Sequence, residues 1–144
     1  MKQQTILVVE DDHIVSDYIC ANCEKRDYRV ILAVDGEEAI KYLQLLKPDL
    51  ILLDTNMPHI DGYEVCRAVR KWSEIPIIML SDRASSEDEV KCLCLGANSY
   101  MSKPFSMEIL FSRIKALLRR AQLNQYNGVL DNRCINDKLL STVN

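Results

Sequence analysis

Residues 50–62 read LILLDTNMPHIDG. Four apolar residues lead straight into an aspartate, and Met57-Pro58, Asp61 and Gly62 follow. An aspartate gains nothing from packing, and burying its charge unpaired is costly. Asp54 therefore either caps a turn or stands at the end of a buried strand to do chemistry.

Outward from this stretch, short apolar runs alternate with amphipathic ones. Residues 5–9 read as a buried strand, and 13–25 carry Ile14, Val15, Tyr18, Ile19 and Cys23 at helical spacing. Residues 28–34 read as a strand. The acidic start Asp35-Gly36-Glu37-Glu38 opens a helix striped by Ala39, Ile40, Leu43 and Leu46, and Pro48-Asp49 breaks it. Residues 50–53 form the third strand. Residues 62–71 set Val65, Cys66 and Val69 on one helical face, and 76–80 form a fourth strand. Residues 87–95 bring Val90, Leu93, Cys94 and Ala97 together, and Gly96 ends that helix. A short strand at 99–101 precedes a helix from 106 to about 121, marked by Met107, Leu110, Phe111, Ile114, Leu117 and Leu118.

These are five β-α units in succession. Strands this apolar need cover on both faces, which makes the sheet parallel with helices on each side. Right-handed crossovers leave few topologies, and the doubly wound α/β order 2-1-3-4-5 with five helices fits the length. Ligands in such sheets bind beyond the carboxyl ends of the strands, where the strand order reverses. Asp54 lies on that edge.

The chain's 144 residues suit one domain, and 48% hydrophobic and 27% charged residues suit a soluble globular one. A net charge of −3 gives no electrostatic case for gripping nucleic acid. No apolar run approaches the roughly eighteen residues of a membrane span, and MKQQT before ILVV is too short for a signal peptide. The expectation is a cytoplasmic protein. Of six cysteines, Cys20 and Cys23 form CxxC and Cys92 and Cys94 form CxC, but His13 and His59 lie outside zinc-like spacing. Reduced, mostly packed thiols are the expectation.

The strand ends collect a particular chemistry. The first ends in Glu10-Asp11-Asp12, the third in Asp54, the fourth in Leu80-Ser81, and Lys103-Pro104 follows the fifth. Each residue has a plainer reading by itself: Asp12 as a helix cap, Glu10 and Asp11 as solvent contacts, Ser81 as a turn residue, Lys103 as a surface lysine. Together they assemble crowded carboxylates, which resist joint ionisation unless a hard cation intervenes. Magnesium takes oxygen ligands and shares its shell with phosphate. Asp54 then becomes a nucleophile for a phosphoryl group, with Lys103 and Ser81 holding its oxygens.

VVEDD at 8–12, LLDTNMP at 52–58, DGYEV at 61–65, IIMLS at 77–81 and YMSKPF at 100–105 resemble the receiver domain of two-component response regulators. The resemblance covers residues 5–121 and is nearest to the OmpR-like subfamily, whose last helix ends as in IKALLRR. It implies the flavodoxin-like receiver fold and a phosphoacceptor switch rather than an enzyme. By this resemblance Asp54 is the phosphoacceptor. Magnesium is held by Asp11, by Glu10 through water, by Asp54 and by the Asn56 carbonyl. Ser81 is the switch hydroxyl, Lys103 binds phosphate and its peptide bond to Pro104 is cis, and Tyr100 turns inward on activation. The side chains of Asn56 and Arg83 tune loss of the phosphoryl group. A sensor histidine kinase is the implied donor, and a homodimer through the fourth helix, fifth strand and fifth helix is the implied output.

Here the chain departs from the subfamily. Lys91 and Arg113 match its basic dimer residues, but Cys94, Leu95, Asn98, Ser99 and Ile109 replace charged or polar ones. Leu95 is read on the polar face of its helix beside Asp88 and Lys91, and the salt-bridged dimer is expected to be weakened or replaced by a more apolar contact through Leu95 and Ile109. Residues 122–144, turn-rich at Asn127-Gly128 and Asp131-Asn132, read as a linker or the start of an effector domain. DNA binding would belong to such a domain and not to these residues. Two rival readings are a receiver-fold interaction module that works without phosphate, and a flavodoxin-like FMN protein. The second would need a hydroxyl- and glycine-rich loop where Glu10-Asp11-Asp12 stands.

Overall fold

A computed structural model describes residues 2–141, with side chains through residue 125. Strand and helix alternate throughout: β1 Thr5–Val9, α1 His13–Lys25, β2 Arg29–Ala33, α2 Gly36–Leu46, β3 Leu50–Asp54, α3 Gly62–Val69, β4 Ile77–Ser81, α4 Ser86–Cys94, β5 Ser99–Ser102 and α5 Met107–Ser141. The sheet has five strands in the order β2-β1-β3-β4-β5, and every neighbouring pair is parallel. The expected doubly wound fold is thus the observed one.

The continuous apolar runs explain the two layers. In β3, Ile51 and Leu53 pack with Leu7, Val9, Ile77 and Met79 on one face. Leu50 and Leu52 pack with Ile6, Val8, Ile78 and Leu80 on the other. All of β3 is buried, Asp54 included. Helices α2 and α3 cover the first face with Ala39, Leu43, Val65, Cys66 and Val69. Helices α1 and α5 cover the second with Ile19, Cys23, Leu110, Phe111 and Ile114. A large aliphatic side chain so buried contributes roughly 1.5–3 kcal/mol.

Short polar side chains start the helices. Asp12 accepts from the Ile14 and Val15 amides, Asp35 from Glu38, Asp61 from Glu64 and Ser85 from Asp88. Gly96 follows α4 at φ 111°, where a Cβ would lie 2.7 Å from Arg70 Cγ.

Several expectations about helix faces are corrected. Ile14 and Tyr18 are 83% and 60% exposed, so α1 packs through Ile19 and Cys23. Leu46 is exposed at the end of α2. Most consequential is α4: Val90 and Leu93 are 57% and 44% exposed and Cys94 is exposed, whereas Asp88 and Cys92 are buried. Asp88, Cys92 and Leu95 also follow helical spacing, and it is this line that faces inward. Beyond residue 121 the backbone stays helical to Ser141 rather than turning. That stretch contains no proline and a single glycine, Gly128, so nothing in it blocks a helix. The last three residues of the expected linker lie outside the described ones.

Five cysteines, Cys20, Cys23, Cys66, Cys92 and Cys94, are free, and three of them are buried. Burial pushes the Cys23 and Cys92 thiols up to about 12. Among the described residues no helix is long and apolar enough to cross a membrane.

Candidate functional site

The carboxyl edge of the sheet gathers the predicted residues because parallel register leaves all the strand ends on one side. Glu10 follows β1 and its amide donates to Ala33 O at 3.1 Å. Asp54 ends β3 opposite Leu80, and Ser81 ends β4 opposite Ser102. Carboxylate oxygens of Glu10, Asp11 and Asp54 lie within 4.8 Å of one another. Glu10 and Asp54 are buried at 3% exposure each, while Asp11 is exposed.

One cation answers this charge directly. Lys103 Nζ donates to Glu10 at 2.9 Å and to Asp54 at 3.2 Å, and reaches the exposed Asp82 at 3.9 Å. The Lys103–Pro104 bond is cis, as expected. Burial pushes Glu10 up to about 7, helped by the neighbouring Asp54 carboxyl and against the pull of Lys103. Burial pulls Lys103 down, but its bonds and charges with Glu10 and Asp54 outweigh that and hold its ammonium above the ordinary range.

The donor set fits a hard divalent cation: oxygen ligands, two buried carboxylates with a third at the mouth, and one lysine against three acids. Asn56 sits beside it, its amide 3.4 Å from Asp54 Oδ1. The loop back to α3 passes very close. A Cβ on Gly62 would lie 2.1 Å from the Asp54 carbonyl oxygen and 2.8 Å from Thr55 Cα, so only glycine lets the loop seat against the strand end.

Ser81 does not face the acids. Its hydroxyl donates to Asp88 Oδ2 at 2.6 Å and accepts from the Arg83 amide at 3.1 Å. Tyr100 is buried; its one hydroxyl proton is shared between two acceptors, Asp88 Oδ2 at 2.6 Å and the Arg83 carbonyl. The Tyr63 hydroxyl bonds to Asp88 Oδ1. Burial pushes Asp88 up, but these hydroxyls and the Arg83 charge more than offset it and hold the carboxyl below its usual range. Sequence reasoning placed Asp88 on a polar face and passed over Tyr63. The only sequence signal was an acid at helical spacing with Cys92 and Leu95.

The expected dimer face is also revised. Leu95 is half-buried against the core and not on a polar face. Lys91 lies 3.8 Å from the Tyr63 ring centroid, toward α3. Asn98 accepts from Arg70 at 2.8 Å and from the Ile77 amide at 2.9 Å. Arg113 is engaged within the chain, donating to Ser99 at 3.0 Å and to the Tyr100 carbonyl at 2.6 Å. Ile109 is 50% exposed.

A family model for the response regulator receiver domain matches residues 6–115. The chain belongs to the response regulator receiver family. Solved receivers agree with it in sequence and shape. The receiver domain of Francisella response regulator 1452 is 31% identical with a TM-score of 0.80, covering 83% of this chain and 99% of its own. The beryllofluoride-activated N-terminal receiver of Klebsiella pneumoniae RstA is 34% identical with a TM-score of 0.78, covering 81% and 99%. The chemotaxis protein CheY4 of Vibrio cholerae is 30% identical with a TM-score of 0.74, again covering 81% and 99%. This receiver therefore carries its acidic cluster, Lys103 and Ser81 on a fold shared almost end to end with those domains.

Proposed function

We propose that this receiver is a phosphorylation switch in which Asp54 accepts a phosphoryl group from a sensor histidine kinase. The observation that carries the reading is the convergence of Glu10, Asp11, Asp54 and Lys103 at one strand edge. An Asp54 carboxylate oxygen attacks phosphorus, and the bond from phosphorus to the donor's nitrogen breaks with its electron pair leaving on the donor. Magnesium, held by Glu10, Asp11, Asp54 and the Asn56 carbonyl, would neutralise charge on the transferring group. Lys103 would exchange part of its contact with Asp54 for a phosphoryl oxygen. Asn56 and Arg83, both exposed beside the site, would govern water's access to the acyl phosphate.

In this reading the protein is a phosphoacceptor and not an enzyme acting on a separate substrate. The output runs through α4, β5 and α5 in the OmpR-like manner, into a homodimer and a DNA-binding domain that residues 122–144 would join to the receiver. The exposed Val90, Leu93 and Ile109 supply that surface with apolar area. A cytoplasmic location follows from the proposed kinase donor.

Intact mass after incubation with magnesium and acetyl phosphate tests the reading. One added phosphoryl group is expected, absent in Asp54→Ala and absent without magnesium. No adduct, together with no binding of magnesium and beryllofluoride, would overturn it.

A further inference from the structure

Asp88 is a buried carboxylate that the phosphoacceptor reading does not use. It is 5% exposed, and its neighbours come from three other elements: Tyr63 from α3, Ser81 from β4 and Tyr100 from β5. Tyr63 occupies Oδ1, while Ser81 and Tyr100 share Oδ2. A hydrogen bond to an ionised acceptor is roughly twice as strong as a neutral one. Ser81 is therefore held by a charged competitor and not by solvent.

Tyr100 adds a second point. Its ring is 8% exposed and its hydroxyl already reaches the Arg83 carbonyl. Asp88 thus helps to seat the tyrosine. Ser81 is the group whose partner would change on phosphorylation. Its hydroxyl has to leave Asp88 Oδ2 to reach a group on Asp54. After it leaves, Asp88 still has Tyr63 on Oδ1 and Tyr100 on Oδ2, so the buried charge is not orphaned.

We infer that Asp88 is a latch that competes with the phosphoryl group for the Ser81 hydroxyl, and that Tyr63 sets the strength of the latch. Tyr63 draws on the same carboxylate charge from the opposite oxygen. A stronger Tyr63 bond leaves less of that charge for Ser81. The latch also ties α4 to α3, with Lys91 lying over the Tyr63 ring at 3.8 Å. The inference rests on the phosphoacceptor reading, because the competitor for Ser81 is the group on Asp54.

The test is a calorimetric titration of the full chain with beryllofluoride in saturating magnesium. Asp88→Asn keeps the shape and removes the charge, and is expected to tighten binding by about fivefold. Tyr63→Phe keeps the ring and removes the donor on Oδ1, and is expected to weaken binding by about twofold. In a Ser81→Ala background both effects vanish if they act through Ser81. Opposite signs that vanish without Ser81 support the latch. The same sign in both variants, no change in either, or changes that persist in Ser81→Ala overturn it while the wild type still binds. If the wild type does not bind at all, the phosphoacceptor reading falls, and the latch with it. Should Asp88→Asn fail to fold, the sign of Tyr63→Phe and its dependence on Ser81 decide the matter.

Discussion

The two halves of the site solve opposite problems. On the β1–β3 side three carboxylates face one lysine, and the charge is left partly unanswered. On the β4–β5 side one carboxylate, Asp88, is met by three hydroxyls, and nothing is left over. The first half could hold a cation at its acidic cluster. The second is closed, so an incoming group can act on it only by offering Ser81 a better acceptor than Asp88. A receptor half and a latch half are thus distinguished by how completely each satisfies its own charge.

The contrast can be broken by mutation, and the largest effect belongs to the closed half. Asp88→Ala strips the acceptor from three buried hydroxyls and should lower stability by about 3 kcal/mol, read from urea unfolding. A change below about 1 kcal/mol would show that water replaces the carboxylate and that the half is not closed. At the seam, Gly62→Ala forces a Cβ against the Asp54 carbonyl at 2.1 Å. It should lower stability by about 2 kcal/mol and weaken magnesium binding with it, both measurable by melting with and without the ion. Unchanged melting would mean that the loop can lift away freely.

The open half should respond with the opposite sign. Asp11→Asn removes one of the crowded charges and should stabilise the metal-free protein by about 0.5–1 kcal/mol while reducing magnesium affinity. Destabilisation would mean that the acids are already neutralised. Proton linkage gives a related check. Glu10 is raised from 4.5 to about 7 in the folded chain, so its contribution to metal-free stability is fully present below pH 4.5 and is lost as pH rises through about 7. Magnesium needs the ionised form, so its melting shift should grow from pH 5.5 to pH 8. A shift independent of pH would remove Glu10 from the ligand set. The smallest effect is expected far from both halves. Ile14→Ser, at a position 83% exposed, should change stability by less than about 0.5 kcal/mol.

Much of this molecule is written locally. Apolar runs without polar interruption require a sheet covered on both faces, and the parallel order follows from that and from crossover handedness. Asp54 was legible because a carboxylate cannot end the most buried strand for packing reasons. Glu10, Asp11, Ser81 and Lys103 were legible because parallel strands bring all their carboxyl ends to one edge. What the residues could not reveal is which line of α4 faces in. The line Val90, Leu93 and Cys94 and the line Asp88, Cys92 and Leu95 both keep helical spacing, and hydrophobicity favours the first. The structure turns the second inward, because Tyr63, Ser81 and Tyr100 place three donors where α4 must pack. A buried carboxylate is stable only where distant elements deliver its partners, and no local pattern records that delivery. Sequence thus determined the sheet and the acids at its edge, whereas tertiary structure alone decided the face of α4, and with it the group that holds Ser81.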